Sequence, residues 1–127
     1  MFHFLGKELV VAIHDDQVLS FGGILGFLNK SLLDSALGQP KITLHFFQDA
    51  TIYDLAAIYG YHICKNHAFR DGNKRTACAA MMVFLEYNGL RITASKDEIE
   101  GKILAIESGA MDKDQLAEWL SSATAPI

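Results

Sequence analysis

The stretch that decides the reading is His67-Ala68-Phe69-Arg70-Asp71-Gly72-Asn73-Lys74-Arg75-Thr76. It lies between two apolar-periodic segments. Upstream, Thr51 stands where an N-cap belongs, and Ile52, Leu55, Ala56, Ile58, Tyr59 and Ile63 recur at three and four residues, which predicts a helix to about Asn66. Downstream, Asn73 to Tyr87 is apolar on nearly every side, the pattern of a helix at the centre of a bundle, and Asn88-Gly89 ends it. The quoted residues are therefore a loop that runs into a helix N-terminus. The first amides of a helix lack internal partners, and its dipole favours negative charge there. Lys74 and Arg75 put two cations at that end, against local helix preference. Such a placement fits a site that an anion, for example a phosphate, completes. His67 adds a base of the kind that exchanges protons near neutrality, and Asp71 a hard oxygen ligand suited to magnesium. Base, metal ligand, amide cradle and cations are the components for moving part of a nucleotide onto a hydroxyl.

Working outward, Lys7 to Leu19 reads as an amphipathic helix with Leu9, Val10, Ile13 and Val18 on its stripe, stopped by Phe21-Gly22-Gly23. Ser31 to Leu37 predicts a short helix ended by Gly38 and Pro40. Lys41 to Gln48 holds Ile42, Leu44, Phe46 and Phe47 with polar residues between, which predicts a short extended or hairpin-like flap. Ser95 with Glu98 forms a capping-box signature for a helix to about Ser108, and Asp112 to Leu120 is a last short helix with Leu116, Trp119 and Leu120 inward. The expected fold is all-α, a compact bundle of about six helices with one extended flap, built as a single domain over residues 1–127.

The chain has 127 residues, half of them apolar and a fifth charged, with a formal net charge of -4. That is enough apolar surface for one core. A diffuse acidic balance lacks the basic face that nucleic acid requires, so no nucleic-acid partner is expected. The longest apolar run, Ala77 to Leu85, is too short for a membrane span, and no signal-peptide pattern opens the chain, so a cytoplasmic protein without membrane association is expected. Cys64 and Cys78 fall inside apolar helical patterns and read as buried small hydrophobes of a reducing compartment. No zinc spacing occurs.

The quoted stretch resembles the signature of the Fic/Doc family, His-x-Phe-x-(Asp/Glu)-(Gly/Ala)-Asn-(Gly/Lys)-Arg, at every defined position. Around it, His14-Asp15, Phe21-Gly22-Gly23, Leu33 with Ser35-Ala36-Leu37, Pro40, Phe84-Leu85, Asn88-Gly89 and Glu118-Trp119-Leu120 fall in an order similar to the Doc branch. The resemblance implies roles. His67 is the general base, Phe69 packs inward and fixes the loop, and Asp71 holds Mg²⁺. Gly72, Asn73 and Lys74 form the anion-binding turn, and Arg75 meets the phosphates of ATP. Two positions depart from the nucleotidyl-transferring members. Lys74 stands where those have glycine, and Cys78 where they have a second arginine. Lysine is similar to Doc toxins, which the resemblance links to transfer of the γ-phosphate of ATP onto a Ser or Thr hydroxyl of elongation factor Tu, arresting translation. AMP transfer by the same residues is the first alternative; a catalytically silent antitoxin-binding module is the second.

The inhibitory signature of many family members, (Ser/Thr)-x-x-x-Glu-(Gly/Asn), has its nearest counterpart at Lys96 to Gly101, where Lys replaces Ser or Thr. The resemblance therefore implies restraint in trans, by an antitoxin protein that binds as a helix in a groove. His14-Asp15 reads as a solvated or helix-packing pair and His62 as a core or supporting histidine. Tyr53, Tyr59 and Tyr61 read as core and rim, and Arg70 as a solvated charge.

Overall fold

A computed structural model describes the whole chain, residues 1–127. The elements run α1 (Lys7–Phe21), α2 (Lys30–Phe46), α3 (Ile52–Asn66), α4 (Asn73–Tyr87), β1 (Leu90–Ile92), α5 (Lys96–Ser108), α6 (Lys113–Ser122) and β2 (Thr124–Pro126). The helices are thus the six expected, and the molecule is all-α apart from a small ribbon. No helix is long and apolar enough to cross a membrane.

Local chemistry accounts for most helix starts. Thr51 and Asp54 make a reciprocal capping box on α3, and Asp112 and Gln115 make another on α6. Such caps satisfy amides that would otherwise be orphaned, at about 1 kcal/mol each. On α5 only the forward half of the expected box forms: Ser95 Oγ accepts from the Glu98 amide at 3.2 Å.

Helix α3 is the hub, packed against α2, α4, α5 and α6, while α4 also touches α1, α5 and β1. One apolar core joins all of them. Its fully buried members include Leu33 of α2, Leu55 and Tyr59 of α3, Met81 and Phe84 of α4, Ile103 of α5 and Leu116 of α6. From α1 only Val10 enters this core, with Leu9 and Val11 packed beside it; the helix's buried stripe is Val10, His14 and Val18 at four-residue spacing.

Two expectations fail in α2. The helix does not end near Gly38 and Pro40; it runs through Pro40 to Phe46, so Lys41 to Gln48 is not an extended flap. A proline inside a helix loses one hydrogen bond and its ring crowds the carbonyl four residues back, at about 3 kcal/mol. Here Leu33, Ala36 and Pro40 are all buried on one face, with Leu37 and Leu44 packed beside them. Burial of that continuous stripe outweighs the local cost, since a fully buried Leu contributes about 1.5–3 kcal/mol. The alternation that suggested a strand splits accordingly: Leu44 packs inward, whereas Ile42 and Phe46 lie exposed.

The ribbon was not foreseen. β1 and β2 pair antiparallel with Leu90 opposite Pro126 and Ile92 opposite Thr124, tying the C-terminus to the end of α4. Three-residue strands are too short for a readable signal of their own, even though Leu90-Arg91-Ile92 alternates.

Candidate active site

The loop between α3 and α4 is held from three sides. From within, the Asn73 side chain grips Phe69: its Oδ1 accepts from the Phe69 amide at 3.1 Å and its Nδ2 donates to the Phe69 carbonyl at 2.9 Å. Asn73 is 5% exposed and Phe69 1%. The side chain of Asn73 is therefore committed to the loop, and only its backbone remains for an anion.

From the second side comes the segment between α1 and α2. The amides of Leu28 and Asn29 donate to the Ala68 carbonyl at 2.9 and 3.1 Å, and the Arg70 amide donates to the Gly26 carbonyl at 3.0 Å. Phe27 and Phe69 form an isolated antiparallel bridge with their rings stacked at 5.1 Å. The extended segment beside the site is thus the stretch before α2, not Lys41 to Gln48. Ile24, Leu25 and Leu28 are exposed on it.

From the third side comes α1. His14 is fully buried, and its imidazole stacks on Phe69 at 3.7 Å with 6° between planes. Its Nε2 lies 2.7 Å from the Asp71 carbonyl oxygen and its Nδ1 3.0 Å from Asp15 Oδ1. His14 therefore packs into the loop, while the Asp15 side chain stays half-exposed at the surface. The four-residue spacing Val10-His14-Val18 was the available signal, since it places His14 on the inward stripe.

The groups singled out in the sequence meet in one cavity of about 560 Å³ at the N-terminus of α4, lined by His67, Arg70, Asp71, Gly72, Asn73, Lys74 and Arg75 with Phe21, Gly22 and Gly23. His67 caps α3 in the left-handed conformation at φ 53° and is the one non-glycine residue with positive φ. Such a backbone is uncommon outside glycine and turns up at functional sites. It presents an exposed ring, with Nδ1 3.4 Å from the Cys64 carbonyl. With Nδ1–H donating there, Nε2 carries the free lone pair.

Gly72 at φ +76° starts α4, and a Cβ there would stand 3.2 Å from Val18 Cγ2. Asp71 Oδ1 accepts from the Gly72 amide at 2.9 Å and Oδ2 from the Ile24 amide at 3.3 Å. A Cβ on Gly23 would come within 2.9 Å of Asp71 Oδ2, so that glycine admits the carboxylate. Lys74 leans toward α5, its Nζ 3.4 Å from the Glu107 carboxylate. The Arg75 guanidinium lies 4.8 Å from the Phe21 ring, and Lys96 Nζ 4.2 Å from the same ring.

No group of three or more His, Cys, Asp or Glu side chains could hold a metal ion. One carboxylate is nevertheless the usual protein share for Mg²⁺ beside a nucleotide, because phosphate oxygens and water supply the remaining ligands. Asp71, exposed with lone pairs to spare, fits that arrangement.

Other titratable groups lie outside the cavity or beneath it. Burial, and then the nearby Lys113 charge, lower the His62 pKa. Burial raises that of Cys64, and Cys78 is pushed up to about 12, chiefly by burial and then by Glu100. Both thiols are buried and free. Burial also raises Tyr59, whose hydroxyl accepts from the Leu5 amide at 2.9 Å. A second, largely apolar groove of about 340 Å³ runs between α1, α4 and α5, walled by Phe21, Ala79, Met82, Val83, Ala94 and Ile99.

The sequence profile of the Fic/DOC family matches residues 4–85, which takes in α1 through α4 and the whole loop. The chain belongs to the Fic/DOC family. A relative named Toxin Doc, from Mycolicibacterium smegmatis, is 38% identical over 116 residues, covering 90% of this chain and 86% of that protein. A second, named Protein kinase doc, from Escherichia phage P1, is 25% identical over 116 residues and covers 91% of both. Both alignments extend past the family match into α5 or α6, since 116 residues exceed the 82 of positions 4–85.

Proposed function

We propose that this Fic/DOC chain is the toxin of a toxin–antitoxin pair and acts as a protein phosphotransferase, moving the γ-phosphate of ATP to a Ser or Thr hydroxyl of a host protein. The observation that carries the reading is the single cavity in which His67, Asp71, Lys74, Arg75 and the first amides of α4 converge. The names of the two relatives, a toxin and a protein kinase, support it. Elongation factor Tu is the target that family resemblance suggests.

In this reading the target hydroxyl approaches His67, and Nε2 takes its proton. The hydroxyl oxygen bonds to the γ-phosphorus as the bond from that phosphorus to the β–γ bridging oxygen breaks, and ADP leaves with that electron pair. Arg75 and the α4 amides stabilise charge on the phosphates in a partly dry site. Asp71 would hold Mg²⁺, which when bound neutralises phosphate charge. Lys74 brings a cation where the nucleotidyl-transferring members have glycine, so the nucleotide is displaced and a different phosphorus faces the base. The groove between α1, α4 and α5 suits an amphipathic antitoxin helix, with its apolar walls and with Arg75 and Lys96 at its edge.

The test is incubation with ATP labelled separately at the α and γ positions and a host extract, or elongation factor Tu itself. Protein-bound γ label is expected, with loss of that label in Lys74→Gly. Protein-bound α label from the wild type would replace phosphate transfer with AMP transfer while leaving His67 and Asp71 in place. Absence of either label, with binding to an antitoxin intact, would leave only the binding-module role.

A further inference from the structure

We infer that His14 is a positioning residue, whose buried Nε2–H fixes the Asp71 peptide and with it the carboxylate that faces the nucleotide. This rests on the reading of Asp71 as magnesium ligand only for its effect on activity; the structural claim stands apart from it.

Three observations converge on this ring. His14 is fully buried, where a polar side chain is costly unless its hydrogen bonds are made. Both its nitrogens are engaged, Nε2 with the Asp71 carbonyl oxygen at 2.7 Å and Nδ1 with Asp15 Oδ1 at 3.0 Å. The 2.7 Å contact spans 57 residues and is the shortest side-chain bond to the loop. A carbonyl oxygen and a carboxylate oxygen both accept, so each ring nitrogen donates in its contact, and Nε2–H is the donor to the loop.

The consequence follows from connectivity. The Asp71 carbonyl and the Gly72 amide belong to one planar peptide. That same amide donates to Asp71 Oδ1 at 2.9 Å. His14 therefore holds one edge of the peptide whose other edge orients the carboxylate. The ring also lies beside Gly72, where a Cβ would stand in ordinary contact with His14 Cδ2 and Nε2 at 3.5 Å. Through its stack on Phe69, itself stacked on Phe27, the ring ties α1 to the segment before α2 as well. A supporting group one bond away from a metal-binding carboxylate typically governs metal affinity or activity by about 10–100-fold.

Two variants separate the hydrogen bond from the packing. His14→Phe keeps a stacked ring and removes the donor; His14→Gln restores an amide N–H of similar reach. The first readout needs no ligand: amide hydrogen exchange of the free protein. His14→Phe should speed exchange at Gly72 and Ile24 about tenfold or more while α5 and α6 stay as in the wild type, and His14→Gln should return both sites toward wild-type rates. The second readout is the Mg²⁺ concentration for half-maximal ATP-dependent transfer. It should rise about tenfold or more in His14→Phe and be rescued in His14→Gln.

Unchanged exchange at Gly72 and Ile24 in a folded His14→Phe overturns the inference. So does uniform acceleration across all helices without rescue by Gln, which marks a merely structural ring. If the wild type transfers nothing but exchange responds as expected, positioning by His14 stands and the phosphotransfer reading falls by itself. Transfer with an unmoved Mg²⁺ midpoint and altered exchange limits His14 to the loop and overturns its link to the carboxylate's task.

Discussion

Removing the Asn73 side chain measures how the site loop is held. In Asn73→Ala, two hydrogen bonds to Phe69 are lost, at 3.1 and 2.9 Å. Each is worth about 1 kcal/mol net, but the partners left behind are a backbone amide and carbonyl in a residue only 1% exposed. A buried polar group left unpaired costs about 1–3 kcal/mol, so the pair sets a total of about 2–4 kcal/mol once partial rehydration from the adjoining cavity is allowed. A domain of this size unfolds with about 5–15 kcal/mol in reserve, so the variant still folds at room temperature. Its Tm should fall by about 6–20 °C. Thermal denaturation followed by circular dichroism reads this directly, and ATP calorimetry on the folded variant reads the rest. Affinity should fall only through loosening of the loop, in proportion to the lost stability. Unchanged Tm with abolished ATP binding would refute the reasoning, since it would mean that the Asn73 side chain reads the nucleotide and does not pin Phe69.

Three further outcomes follow from the same structure. His67→Ala should reduce transfer by about 10²–10⁴, the usual share of a general base, with an unchanged melting curve because the ring is exposed; full activity in that variant would remove His67 from the reaction. Cys78, pushed up to about 12, should hold about a thousandth of the thiolate of an ordinary cysteine at pH 8, and burial slows it further; rapid labelling of the native protein by a thiol reagent, at the rate seen in denaturant, would contradict this. His62 is disfavoured as a cation in the folded chain by burial and by Lys113, so the unfolded chain binds the extra proton first as pH falls. Its stability contribution should be complete above about pH 6.5 and decline from there toward the lower folded value. His62→Gln should flatten that part of the Tm–pH curve, and an unaltered curve would assign the acid sensitivity elsewhere.

What was legible in the sequence is what local chemistry specifies. Caps act over three residues and helix stripes over three or four, so α3 and α4 could be bounded from Thr51, the apolar spacing and Asn88-Gly89 alone. The site motif was legible for the same reason: His67 through Arg75 is one contiguous turn, and its residues share a cavity because the chain cannot separate them. Tertiary structure decided what is joined across long separations. Pro40 and the alternation after it argued locally for a break, yet burial of Leu33, Ala36 and Pro40 against the core keeps α2 helical to Phe46. With α2 extended, the segment beside the motif became the stretch before it, bonded to Ala68 and Arg70 across some 40 residues. His14 is the sharpest case of such joining, and Asn73 shows that even a contact within the motif depends on the folded turn. Each residue type admits several roles, and which one it takes depends on the group its hydrogen-bonding atoms meet. For Asn73 those are the amide and carbonyl of Phe69, four residues away on a turn of irregular geometry; for His14 it is a carbonyl 57 residues away, reached only after α1 has packed.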